Sequence, residues 1–191
     1  MTHPRTRRPW VLVAVILSMF VGSIEATIVA TSMPTIVARL GDMSLYSWVF
    51  SSYLLMQVVA GPVLGKLSDI FGRRRLLAFG LAVFVAGSLL CGTAWSMQSL
   101  VAFRLLQGLG GGAVLPIALT LVADLYPVEQ RGRIQGYLAS VWGVSAIVGP
   151  LAGALIVQHW DWAWVFWVNV PTAALACGLV LTCLHEELPQ R

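Results

Sequence analysis

The chain has 191 residues, 58% of them hydrophobic and only 10% charged, with mean hydropathy +0.83. Soluble domains carry about a quarter charged residues, so this composition excludes an ordinary soluble enzyme or binding domain. The net charge of +4 does not indicate nucleic acid, because the basic residues stand at the ends of apolar runs with no aromatic platform between them.

Charges cluster between apolar stretches of about 20 residues, each able to cross a hydrocarbon core of roughly 30 Å. Six spans follow in chain order, at 10–31, 46–67, 76–95, 98–123, 134–157 and 163–184. The fold class is therefore all-α and integral to the membrane, one six-helix bundle over residues 1–191. No linker in the chain is long enough to separate two domains.

The first span follows Arg5, Arg7 and Arg8 but is too long for a signal-peptide apolar region and lacks a small-x-small cleavage site. It contains Glu25, in the run Ser23-Ile24-Glu25-Ala26-Thr27. A charged acid costs about 2.5–3.5 kcal/mol at the centre of a span on insertion scales unless it is neutral, paired or wetted. Glu25 reads as a proton carrier, or as an acid locked to a cation for structural reasons. The 32–45 link carries Arg39 and Asp42, and the second span runs into Gly65-Lys66-Leu67-Ser68-Asp69-Ile70-Phe71-Gly72-Arg73-Arg74-Arg75, a cytoplasmic connection to the third span.

The fourth span holds the second intramembrane charge, in Arg104-Leu105-Leu106-Gln107-Gly108-Leu109-Gly110-Gly111-Gly112. Counting from the span ends puts Glu25 and Arg104 in the same half of the bilayer, where they can share one cavity. A substrate or conformational change that separates them would then trigger proton uptake. Alternatively, Arg104 bonds only backbone carbonyls between helices, and the glycines serve helix packing. Asp124, Glu129, Arg131 and Arg133 form a solvated ion-pair cluster in the 4–5 connection, or a second latch. In the fifth span, Gly149 and Gly153 make a flat surface around Pro150. The sixth span opens on Trp164-Val165-Phe166-Trp167-Val168-Asn169-Val170-Pro171.

An even number of spans puts both termini on one side. Arg5, Arg7, Arg8, Lys66, Arg73, Arg74, Arg75, Arg131, Arg133 and Arg191 fall on that side, against Arg39 on the other, which makes both termini cytoplasmic. Trp48, Trp95, Trp160, Trp162 and Trp164 gather at the outer ends, where amphipathic rings favour the headgroup level. Cys91, Cys177 and Cys183 read as packing residues, and His3, His159 and His185 are too isolated for a metal site. No phosphate-cradling loop occurs, so ATP hydrolysis has no support.

The 65–75 connection is similar to the G-x-L-a-D-r-x-G-r-r motif of the major facilitator superfamily, with Ile70 departing from its basic sixth position. The fourth span resembles the family's R-x-x-q-G-x-g-a-a pattern. Residues 145–154 resemble G-x-x-x-G-P-x-x-G-G, the antiporter pattern, with Ser145 and Ala154 in place of glycines. Ile24 to Pro34 resembles the l-D-x-T-v-v-n-v-A-l-P signature of the fourteen-helix drug:proton antiporters, Glu25 standing for the aspartate and Ala30 and Ser32 departing. The opening of the sixth span is also similar to that subfamily, with Ala163 where arginine is common.

The resemblance implies the N-terminal half of a proton-coupled antiporter that exports hydrophobic or cationic drug-like compounds from the cytoplasm across a bacterial inner membrane. It is not an enzyme, it needs no cofactor, and protons are the coupling ion. Glu25 and Arg104 would handle the proton, with Gln107 and Gly108 beside them. Gly65, Asp69, Gly72, Arg73 and Arg74 would latch the conformational switch, and Gly149, Pro150 and Gly153 would pack the fifth span. The implied partners are the lipid bilayer, the substrate and a second six-helix half, the C-terminal one, removed by truncation or supplied by another chain. A lone half would expose the small and polar residues meant for that partner. Two other readings remain: a non-transporting scaffold or regulatory protein, and a nutrient or siderophore transporter of the same fold.

Overall fold

A computed structural model describes residues 8–184, Arg8 by its backbone only. Arg5, Arg7, Arg191, His3 and His185 lie outside the described residues. Helix α1 runs Arg8–Leu40, a short 3-10 turn covers Met43–Leu45, and α2 (Tyr46–Phe71), α3 (Arg73–Gly92), α4 (Met97–Leu125) and α5 (Val128–His159) follow. The last span is interrupted, as α6 (Trp164–Trp167) and α7 (Asn169–Cys183). Among the described residues, six helical segments are long and apolar enough to cross a membrane, and the protein is a multi-pass membrane protein.

Local chemistry sets the boundaries. Gly41 ends α1 at φ +73°, its N–H returning to the Val37 carbonyl at 2.8 Å. Ser96 caps α4, accepting from the Ser99 N–H at 3.2 Å while the Ser99 hydroxyl accepts from Ser96 N–H. The break at Val168 comes three residues before Pro171, which has no N–H to return to the Trp167 carbonyl and so sits in the first turn of α7.

Three expectations are corrected here. First, α1 continues through Pro34 to Leu40, well past residue 31, because a helix need not stop where hydrocarbon does. Second, the connection between the second and third spans is a single residue, Gly72, at φ +95° and ψ 140°, a backbone conformation that only glycine adopts readily. Third, Asp124 lies in the last turn of α4 rather than in a loop, and only Tyr126 and Pro127 separate α4 from α5.

Packing follows a repeat. Helix α1 lies against α5 and α7, and α4 lies against α2 and α3. Exchanging the first three spans for the last three maps one set of neighbours onto the other, the pattern of two three-helix units of opposite direction. Helices α1 and α4 form the buried centre, and glycines set their spacing. A Cβ at Gly108 would stand 2.4 Å from the Tyr53 carbonyl oxygen of α2, and one at Gly110 would stand 2.3 Å from the Phe84 nitrogen of α3. Backbone thus touches backbone on both sides of α4. The equivalent face of α5 carries Ser145, Gly149 and Gly153, buried at i, i+4, i+8; a Cβ at Gly149 would stand 1.9 Å from Thr27 Oγ1, and one at Gly153 2.9 Å from the Ile28 carbonyl oxygen.

Two large apolar clusters, with a small one of Val21, Tyr53, Phe84 and Ala173 between the helices, fill the bundle. One, on the side of the α2–α3 turn, is built from residues such as Val15, Leu64, Leu81, Leu121 and Leu138; the other, toward the opposite end, from Val29, Ile36, Val49, Leu100 and Phe166. Outward, α2 presents Leu54, Leu55, Val58 and Val59, and α5 presents Val144, Ile147, Leu151 and Leu155. Part of the expected small, polar face lines one cleft between α1, α2, α4 and α5, and more of it is exposed along α5 at Gly132, Gly136, Ala139, Ser140, Gly143 and Ala146. Interspersed with these the exposed residues are large and aliphatic, since lipid imposes no penalty on them.

Candidate functional site

Between the two apolar clusters lies a layer of polar side chains, contributed by α1, α2, α3, α4 and α7. Glu25 and Arg104 are both buried, at 0% and 1% exposure, and they meet: Arg104 Nη1 donates to Glu25 Oε1. The same nitrogen donates to Gln107 Oε1 at 2.7 Å, and Arg104 Nε donates to the Val49 carbonyl at 3.1 Å. Gln107 Nε2 in turn donates to Ser88 Oγ at 2.8 Å. The second carboxylate oxygen of Glu25 accepts from Asn169 Nδ2. Both oxygens of the acid are thus held by nitrogen donors, and the arginine is held by the acid, an amide and a backbone carbonyl. The guanidinium also lies over the Tyr53 ring, 4.2 Å from its centroid, and 5.9 Å from that of Phe166.

Such a pair is expensive to place away from water and costly to break once made. Arg104 thus meets Glu25 and also anchors one backbone carbonyl, that of Val49, so it does not bond carbonyls alone. Asn169, Ser88 and Tyr53 were not assigned from the sequence. The signal that existed was Asn169 itself, an amide in an apolar span just beyond the interruption at Val168.

The second charged constellation sits at the α2–α3 turn. Arg73 Nη2 is 3.3 Å from Asp69 Oδ1, and Arg73 Nη1 is 2.9 Å from Asp124 Oδ2. These side chains are a quarter to a half exposed, so the Coulomb attraction is screened and modest. The pairing has a local cause: Arg73 opens α3 and Asp124 lies at the end of α4, each the wrong sign for its helix dipole, and each offsets the other. Arg74 Nη2 donates to the Leu181 carbonyl at the end of α7. One turn therefore ties α2, α3, α4 and α7 together. Asp124 belongs to this group rather than to a cluster with Glu129; Arg131 instead donates to the carbonyls of Ala123 at 2.5 Å and Tyr126 at 3.1 Å. Gly65 packs on Pro116, with 3.3 Å between a built Cβ and the proline Cβ.

A cleft of about 460 Å³ opens on the face formed by α1, α2, α4 and α5. Its lining includes Gly22, Ser23, Gln57, Gly61, Gly111 and Gly112 together with the larger Met19, Val58, Leu115 and Trp142. It is mostly apolar with a few polar groups, and its size falls in the range of small-molecule sites. Glu25 does not line it. The acid points into the bundle toward α4 and α7, while Ser23, two residues earlier, faces the cleft and meets Ser145 Oγ at 2.6 Å.

Residues 15–191 match the family described as Major Facilitator Superfamily. The chain belongs to the Major Facilitator Superfamily. It is 43% identical over 190 residues to Multidrug resistance protein 3 of Bacillus subtilis, covering 100% of this chain and 37% of that protein. It is 39% identical to the Multidrug transporter protein MdtP of the same organism, covering 90% of this chain and 32% of the other. It is 42% identical to the MFS-type transporter gkaD of Penicillium citrinum, covering 92% of this chain and 30% of the other. The chain thus spans about a third of the length of these relatives. Among solved structures, the proton:xylose symporter XylE superposes with a TM-score of 0.82 at 15% identity over 94% of this chain and 45% of that one. The human organic anion transporter MFSD10 superposes with a TM-score of 0.78 at 19% identity, over 95% of this chain and 48% of that one. These likenesses carry the fold, and the family is one of membrane transporters rather than enzymes.

Proposed function

We propose that this chain forms the N-terminal half of a proton-coupled antiporter that exports hydrophobic or cationic drug-like compounds across the cytoplasmic membrane. The observation that carries the reading is the buried Glu25–Arg104 pair beside an apolar cleft. A structural ion pair needs no cleft, and a cleft for lipophilic cargo needs no buried acid; together they supply a coupling group and a cargo site. The names of the Bacillus relatives support drugs as the cargo. In this reading Glu25 carries the proton, and Arg104 releases or recaptures the carboxylate as the bundle changes shape. Gln107 and Gly108 hold Arg104 and the close α2–α4 contact. The Asp69–Arg73–Asp124 group, with Gly65, Gly72 and Arg74, latches one end of the bundle. Gly149, Pro150 and Gly153 keep α5 against α1. Lys66, Arg73, Arg74, Arg75, Arg131 and Arg133 put that end in the cytoplasm.

The cleft needs a second wall, and the aliphatic flanks of α2 and α5 fit a second six-helix half. Alternating access would then be the rocking of two bundles about a shared site. The test is efflux of a fluorescent lipophilic cation from vesicles under an imposed pH gradient, with this chain alone and joined to a C-terminal half. Efflux is expected for the joined form, and Glu25→Gln is expected to lower it at least about a hundredfold, the scale of losing a positioned proton-transfer group. Equal efflux with and without the carboxylate would contradict the assignment of Glu25. Efflux absent from both forms, with insertion verified, would favour the scaffold reading or a nutrient cargo.

A further inference from the structure

A protonated Glu25 needs a partner its carboxylate does not. The acid O–H is a donor that must find an acceptor, yet both oxygens of Glu25 are met by nitrogen donors. Arg104, on Oε1, has donors only and keeps its charge, so a proton on that oxygen would point at an N–H. Gln107 is locked. Its Oε1 accepts from Arg104 at 2.7 Å and from the Cys91 thiol at 3.7 Å, and its Nε2 donates to Ser88 Oγ at 2.8 Å, so turning the amide over would set its N–H groups against the guanidinium. Asn169 is not locked. Its Nδ2 donates to Glu25 Oε2, and that is its one side-chain hydrogen bond among the described residues. A half-turn about Cβ–Cγ exchanges Nδ2 for Oδ1, an atom of nearly the same size, and breaks no other bond. The residue is buried at the first position of α7, which packs on α1 and α3.

We propose that Asn169 is the positioning residue of the proton step: Oε2 is the oxygen of Glu25 that takes the proton, and the Asn169 amide turns from donor to acceptor as it does. A hydronium ion gives its proton to Oε2. One O–H bond forms on the carboxyl and one breaks on the hydronium, which leaves as water, and the carboxylate becomes the neutral acid. Nδ2 releases Oε2, and Oδ1 accepts the new O–H. Arg104 is left facing a neutral carbonyl oxygen, a weaker acceptor than a carboxylate, so protonation shifts the hold on Glu25 from α4 to α7. The ionisable groups beside Glu25 are Arg104 of α4, Tyr53 of α2 and Cys91 of α3; the facing positions of α5, Ser145, Gly149 and Gly153, are neutral. The inference rests on the proton-carrying reading of Glu25 and adds the group that holds its acid form.

Asn169 is the sole asparagine of the 191 residues, so asparagine labelled with carbon-13 at Cγ, supplied in cell-free synthesis, marks this one amide without a substitution. The experiment is an infrared pH titration of the labelled full chain in lipid vesicles. As pH falls, the carboxylic acid band that Glu25→Gln removes is expected to grow. The labelled amide C=O band should move to lower wavenumber with the same midpoint, because an accepted hydrogen bond weakens the C=O bond. In Glu25→Gln the labelled band should stay still at every pH. Asn169→Leu removes the acceptor and should move the acid band to higher wavenumber with helix content unchanged. A labelled band that stays still while the acid band grows would overturn the turning amide and leave Glu25 as the proton carrier. A parent chain with no band that Glu25→Gln removes would overturn both.

Discussion

Replacing Arg104 by methionine is expected to destabilise the folded bundle by about 3–5 kcal/mol, the usual cost of leaving one member of a buried pair without the other. Methionine fills much of the volume but deletes the donors to Glu25, Gln107 and the Val49 carbonyl. Asn169 and the neutral Gln107 amide then face the carboxylate. Equilibrium unfolding in mixed micelles measures the loss. The diagnostic is the double variant: adding Glu25→Gln removes the stranded charge, so the pair should recover a large part of the loss, a coupling of about 1–3 kcal/mol. Arg104→Lys should fall between, since an ammonium keeps the charge but loses the planar fork and its stacking on Tyr53. Additive single-variant effects would show that the two residues do not meet.

Gly110→Ala is the second large effect. A Cβ there would stand 2.3 Å from Phe84 N and 2.5 Å from the Gly80 carbonyl oxygen, both backbone atoms of α3. No side chain can rotate away, so the helices must separate, at an expected loss of about 1–3 kcal/mol or more. Gly143→Ala is the control: nothing lies within 4 Å of its built Cβ, so it should be neutral or gain up to about 1 kcal/mol from helix propensity. The same unfolding assay compares them. Equal behaviour of the two variants would contradict the close α3–α4 packing.

Much of this arrangement was legible in the residues. Glu25 and Arg104 stood out because a charge inside an apolar run is too costly to sit there without a role, and the six spans followed from the length of those runs. The Gly108–Gly112 run announced close packing, although not which neighbour each glycine meets; the structure divides them between α2 and α3. Other features had a weak signature or none. Asn169 stood as an amide in an apolar span, but Ser88 and Tyr53 are neutral, and a neutral hydroxyl in a span satisfies no periodicity and breaks none. Asp124 sat among charges next to Pro127 and so resembled loop sequence, but the helix runs to Leu125 and delivers the acid to Arg73. The ends of α1 escaped for a different reason: hydropathy marks where lipid stops, whereas Gly41 marks where the helix stops.

The partition of roles follows from where each polar group faces. Glu25 is turned inward, so in the proposed reading cargo in the cleft would act on it at a distance, through Arg104 or movement of the bundle rather than by direct contact. Ser23 and Gln57 are the polar side chains in the cleft lining, which the proposed cargo would meet. The decisive measurement for Glu25 is proton release on cargo binding, recorded with a pH-sensitive dye in weak buffer on the chain joined to a C-terminal half. Addition of a lipophilic cation is expected to release protons from the parent and none from Glu25→Gln, with cation binding retained in both. Release of equal size from both proteins would contradict the claim that Glu25 is the coupling group.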